Sequence, residues 1–186
     1  MRVFAGPNGS GKSTIINGVK KIKVKGRLID FGIYINADEI AEALRKKKFS
    51  FRTYSVRTNA AEFKMIAMKS GLVGVKGFSP GNFNTCYRFL ANHIVLTKPQ
   101  YDERLAQIIA DFLRKKLLQE RKKFSFETVF SHESKLEIMR KAVEAGYKVY
   151  LYFVSTEDPE INKDRVKTRT MQGGHDVDPD AIERRY

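Results

Sequence analysis

The sequence holds one cysteine, Cys86, in 186 residues, so no disulfide can form within the chain, and a reducing cytoplasm is the natural compartment. With no His or acidic residue beside it in sequence, Cys86 reads as a packed thiol rather than a nucleophile. No apolar run approaches the roughly 20 residues that a membrane helix needs, which excludes a spanning helix and predicts no membrane partner. The first residues already read as a strand, so no signal peptide is expected ahead of them. His93 has no second His or Cys at metal-ligand spacing, and no structural metal is expected. Acidic residues are scarce relative to basic ones: 21 Asp and Glu face 35 Lys and Arg, a net charge of +14. That balance favours a polyanionic partner, whether nucleotide, nucleotide sugar or nucleic acid. The basic residues are spread over 20–25, 45–48, 114–116 and 121–123 rather than interleaved with aromatics, so a solvated surface is the plainer reading of them.

What is present is the composition of a globular domain, 42% apolar and 30% charged, about one domain in length. Its strongest local signal opens the chain. Val3-Phe4-Ala5 is a short apolar strand that runs into Gly6-Pro7-Asn8-Gly9-Ser10-Gly11-Lys12-Ser13-Thr14 and then into a helix over residues 11–21. Strand, G-x-x-x-x-G-K-S, helix is the P-loop pattern in the context it requires. Glycines 6, 9 and 11 let successive N–H groups turn toward one anion at the positive end of the helix. Lys12 is placed to reach the β and γ phosphates of a nucleoside triphosphate, and the Ser13 hydroxyl to meet Mg²⁺. ATP and Mg²⁺ are therefore the expected cofactors.

Beyond a basic linker at 23–26, a strand over 33–36 leads into an acidic-first helix at 38–44, which puts Asp38 at a strand's carboxyl end, where open α/β sheets hold their ligands. Capping that helix is the alternative role for Asp38. Residues 60–68 read as a helix. The longer stretch 45–100 reads as an excursion from the core sheet, either a lid and substrate wall or a surface insertion. Residues 101–120 carry Leu105, Ile108, Ile109, Phe112, Leu113 and Leu117 at helical spacing, a core stripe. Residues 123–130 read as a central parallel strand with Glu127 near its end, where an unpaired carboxylate belongs at the rim, facing phosphate, Mg²⁺ or acceptor. A helix from a Ser134 cap to Gly146, a strand over 147–154 and a helix over 160–172 follow. Arg165 and Arg169 lie four residues apart on one face of that last helix, positioned for a γ-phosphate or for surface ion pairs. A Gly173-Gly174-His175-Asp176 turn precedes a helix that starts at Asp180 and carries Arg184 and Arg185. The chain stops inside that helix, and a truncated C-terminus is expected.

The alternation predicts a P-loop α/β sandwich, a single domain with a mostly parallel sheet covered on both faces. A transporter-type ATPase signature and the N-K-x-D element of switch GTPases are missing. A small-molecule kinase, a polynucleotide-kinase-like protein and a non-catalytic nucleotide-binding module remain.

Residues 4–14, Tyr34-Ile35-Asn36-Ala37-Asp38-Glu39-Ile40-Ala41, Phe126-Glu127-Thr128, Gly146-Tyr147-Lys148-Val149, and Arg165 through Gly173-Gly174-His175-Asp176-Val177 together resemble the zeta toxin family of P-loop kinases. The likeness covers roughly residues 1–44 and 105–186. It implies ATP- or GTP-dependent phosphorylation of a hydroxyl, with UDP-N-acetylglucosamine as the acceptor of the characterised toxins. By position it implies Lys12 on phosphate, Asp38 as base, Glu127 and Thr128 at the acceptor and Arg165 or Arg169 as a lid arginine, and it raises an antitoxin protein as a partner. Asn36 departs from the family's D-x-D, and 45–100 aligns with none of it.

Overall fold

A computed structural model describes residues 1–46, 48–75, 77–130, 134–173 and 177–184. The chain begins with β1 (Arg2–Ala5), α1 (Lys12–Val19), β2 (Lys23–Val24), β3 (Arg27–Leu28), β4 (Ile33–Ile35) and α2 (Ala37–Lys46). Next come β5 (Phe49–Ser50), α3 (Ala60–Met68), α4 (Pro80–Thr85), β6 (Tyr87–Leu90), β7 (His93–Leu96) and α5 (Asp102–Gln119). It ends with β8 (Phe124–Thr128), α6 (Ser134–Glu144), β9 (Tyr150–Phe153), α7 (Pro159–Met171) and α8 (Pro179–Glu183). The fold is mixed α/β. It divides into two compact units, one of residues 1–32 with 125–186 and one of residues 33–124.

In the first unit β1 lies between β8 and β9 and runs parallel to both, with Val3 opposite Phe126 on one side and Leu151 on the other. Val3, Phe4 and Ala5 are fully buried, which is why this short apolar run forms the middle strand. Phe4 stacks on Phe31 and on Tyr152, at 5.4 and 4.7 Å between ring centroids. α6 stops where Gly146 takes φ +84° and the Tyr147 N–H reaches back to the Ala142 carbonyl at 2.9 Å, a left-handed stop that glycine makes without strain. The Ser134 side chain, expected as the N-cap of α6, lies outside the described residues, as do Gly174, His175, Asp176 and Arg185.

Two sequence expectations need correction here. Residues 23–26 form no linker: β2 and β3 pair as a hairpin about Lys25 and Gly26. The sheet is also not covered throughout, because Tyr150, Leu151 and Phe153 of β9 are all exposed.

The second unit is built on α5. Its stripe of Leu105, Ile108, Ile109, Phe112, Leu113 and Leu117 is buried, as expected, and α2 packs along it through Ile40, Ala41 and Leu44. α3 packs against the same helix, over the residues anticipated for it. The stretch 45–100 holds more order than an excursion implies. β5, β7 and β6 form an antiparallel three-stranded sheet, so the strands of this unit depart from the mostly parallel expectation. Its tight turn places Ala91 and Asn92 at φ +43° and +69°, and the Asn92 amide secures it by donating to the Val56 carbonyl at 3.0 Å. Phe51 and Phe63 each meet Phe112 edge-on, at 5.3 and 5.2 Å, and are tilted to one another at 5.7 Å, with Phe83 and Phe89 around them. A fully buried side chain of this size contributes about 1.5–3 kcal/mol, so this aromatic cluster is the second unit's own core. Cys86 is buried beside it, and burial pushes its thiol up to about 11, the packed role read from sequence.

Candidate functional site

The loop between β1 and α1 is shaped by its glycines. Gly6, Gly9 and Gly11 take φ of +142°, +79° and +93°, and Gly11 is the N-cap of α1. A Cβ on Gly6 would stand 2.0 Å from the Val154 carbonyl oxygen, and one on Gly9 would stand 2.4 Å from that of Asn162. Both distances are shorter than any real contact, so both positions require glycine on steric grounds as well as for their backbone angles. The Gly6 N–H donates to the Thr128 carbonyl at 3.2 Å and the Val154 N–H to the Ala5 carbonyl at 2.8 Å. The loop is thus tied to the carboxyl ends of β8 and β9, where a parallel sheet presents its ligand edge.

Lys12 folds over the loop, its ammonium donating to the Gly6 and Pro7 carbonyls at 2.9 and 2.8 Å. Ser13 and Thr14 are exposed in the first turn of α1, whereas Ser10 is buried and its hydroxyl has no hydrogen-bond partner among the described residues. Asn8 is partly exposed at the loop crest. A cation over the loop, at the positive end of a helix, is an arrangement able to receive an anion.

α7 comes to the same loop. Arg165 donates to the Gly9 carbonyl at 3.3 Å, which brings this predicted residue to the glycine loop. Arg169, exposed, sits one turn farther along in the helix's last turn. Asn162, not singled out from sequence, is fully buried against Gly9 and accepts from the Thr156 hydroxyl at 3.0 Å. The available signal was its spacing: it lies four residues before the buried Val166, at a position where a helix usually places an apolar side chain.

Glu127 is half-buried at the end of β8, paired in register with Phe4, and Thr128 is buried beside Ala5. The Thr128 hydroxyl accepts from the Phe130 N–H at 3.1 Å and so shapes the turn that leaves the strand.

Asp38 belongs to the second unit and lies exposed in the first turn of α2. It does not cap that helix. Asn36 does, its side-chain oxygen accepting from the Asp38 N–H at 2.8 Å while its carbonyl accepts from Ile40. This gives Asn36, the departure from D-x-D, a local role, and leaves the Asp38 carboxylate without capping duty.

No family model matches the chain, and no solved structure matches it. Over 63 residues it is 35% identical to an uncharacterized protein of Haemophilus influenzae. That match spans 34% of this chain and 45% of the relative, less than half its length.

Proposed function

We propose that the chain is a P-loop kinase that transfers a phosphoryl group from ATP to a hydroxyl of a small molecule. The observation that supports this reading is the loop at 6–14, with three glycines at positive φ, a cation over the loop and the Arg165 contact, an arrangement suited to an anion. The residues present fit a triphosphate: the loop N–H groups and Lys12 would hold its phosphates, and the exposed Ser13 hydroxyl, with Glu127 as a second candidate, would hold Mg²⁺. ATP supplies the phosphoryl group, and Mg²⁺ offsets the charge on its oxygens. For an anion to be held, Lys12 must exchange the Gly6 and Pro7 carbonyls for phosphate oxygens. Arg165, whose planar fork suits phosphate, exchanges the Gly9 carbonyl in the same way, and Arg169 is the second candidate for this role. By position, the zeta toxin resemblance would make Asp38 the base for the acceptor hydroxyl and would put Glu127 and Thr128 at the acceptor. The zeta toxin resemblance favours a UDP-N-acetyl sugar as that acceptor and makes an antitoxin the protein partner to look for.

The test is Mg-ATP turnover with UDP-N-acetylglucosamine, following the acceptor's mass. Wild type should yield a phosphorylated sugar nucleotide. Asp38→Asn should retain ATP binding and lose product by on the order of 10²-fold or more, the usual worth of a positioned base. ATP binding with unchanged product formation in Asp38→Asn removes Asp38 from the reaction, and product appearing only on oligonucleotide ends favours a polynucleotide-kinase-like enzyme. ATP binding with no product on either acceptor leaves the binding-module reading.

A further inference from the structure

α1 runs out into a stretch in which every residue from Lys20 to Leu28 is exposed. Here β2 and β3 form a two-residue hairpin, with Val24 paired to Arg27 and Lys25 and Gly26 at φ +52° and +76°. Such a turn needs positive φ at both central positions, which Asn or Gly meets with less strain than Lys. Lys25 holds that conformation at a cost and places a cation at the hairpin tip. Lys21, Lys23, Lys25 and Arg27 have no acidic partner among the described residues, and the sequence has no Asp or Glu between Lys12 and Asp30.

The uncharged side chains of the hairpin are as informative as the cations. Ile22, Val24 and Leu28 are 48%, 57% and 58% exposed. Directly opposed residues of an antiparallel pair share a face, so Lys23 stands beside Leu28 and Val24 beside Arg27. Each face therefore pairs a cation with an aliphatic group. A phosphate backbone would use the cations alone, and base readout by Lys or Arg would do the same, leaving Ile22, Val24 and Leu28 exposed with nothing to meet. A second copy of the hairpin would set like charges against each other. A surface that is anionic at the headgroups and apolar beneath uses both sets of side chains.

We infer that the β2–β3 hairpin docks this protein tip-first on anionic lipid, its four cations on headgroup phosphates and the aliphatic groups of its two faces, Val24 on one and Leu28 on the other, entering the interfacial layer from either side of the ribbon. No helix among the described residues is long and apolar enough to cross a membrane, and the contact inferred is with a membrane surface, a departure from the expectation of no membrane partner. The inference does not depend on the nucleotide reading.

Co-sedimentation with vesicles of phosphatidylglycerol and phosphatidylcholine in equal parts tests it, with phosphatidylcholine vesicles and a duplex oligonucleotide as the other arms. Wild type should bind the anionic vesicles alone, and bind them less as salt rises. Lys23→Glu with Lys25→Glu should weaken binding about 30-fold. Val24→Ser with Leu28→Ser, at unchanged charge, should weaken it about tenfold. All these positions are exposed, and matching melting temperatures will show that the variants fold. Three results would overturn the inference: no binding to anionic vesicles, binding that ignores the charge reversal, or an aliphatic pair without effect in a protein whose duplex binding the charge reversal abolishes.

Discussion

Gly9 answers to two constraints, a positive φ and the backbone of α7, and both were only half visible in the sequence. The motif called for glycine because a phosphate loop turns sharply there. The contact with Asn162, which makes any Cβ impossible, joins residues more than 150 positions apart, and no local pattern reports it. Gly9→Ala should cost about 1–3 kcal/mol from backbone strain alone, and more from the 2.4 Å collision. Thermal melts of the variant should show the loss, and a melting temperature equal to that of wild type would mean that α7 does not press on the loop. Asp38 was legible as a residue of interest, but its freedom from capping was not, since Asn36 and Asp38 are both good caps and only geometry chooses between them.

Glu62 makes a different residue-scale case. Burial alone would raise its carboxyl, but hydrogen bonds from Lys116 and the Thr58 hydroxyl outweigh that, and its pKa lies below the ordinary value. A carboxyl depressed in the folded state contributes stability above its unfolded pKa and loses it as pH falls through the folded one. Glu62→Gln should therefore be less stable than wild type at neutral pH, with the gap closing below about pH 4. Urea midpoints across that range check this, and a gap constant with pH would contradict it.

At the scale of elements, the long periodic segments were readable and the short ones were not. α3, α5 and α7 fall within a residue of expectation because each buries a stripe with helical spacing or carries a side-chain cap, as Asn59 and Asp158 do for α3 and α7. β2, β3 and β5 are two residues long, too short for any period to appear. The missed clues lie in turns: Lys25-Gly26 between β2 and β3, and Asn92, a residue that tolerates positive φ, between β6 and β7. Phe63, at the centre of the aromatic cluster, belongs to the stretch that sequence alone left as lid or insertion. Phe63→Ala should cost about 3–5 kcal/mol and speed amide exchange through residues 33–124, and exchange unchanged there would show that the cluster is no core.

For the whole molecule, the α/β class was legible from the alternation of strands and helices, whereas the division into two units was not. The second unit starts at Ile33 and ends at Phe124, not at the edges of the irregular 45–100 stretch, because α2 and α5, each regular in sequence, pack on one another and carry that stretch with them. The net charge of +14 favours anionic partners. At the loop, the anion proposed is a nucleoside triphosphate.

The most direct measurement is titration of Mg-ATP into wild type and Lys12→Ala, read by calorimetry at fixed salt. Binding to wild type should saturate at one site and fall by at least about tenfold in Lys12→Ala, since a charge-assisted hydrogen bond contributes about 1.5–3 kcal/mol. Equal binding to both proteins, or none to wild type, would contradict the assignment of the loop as a nucleotide site.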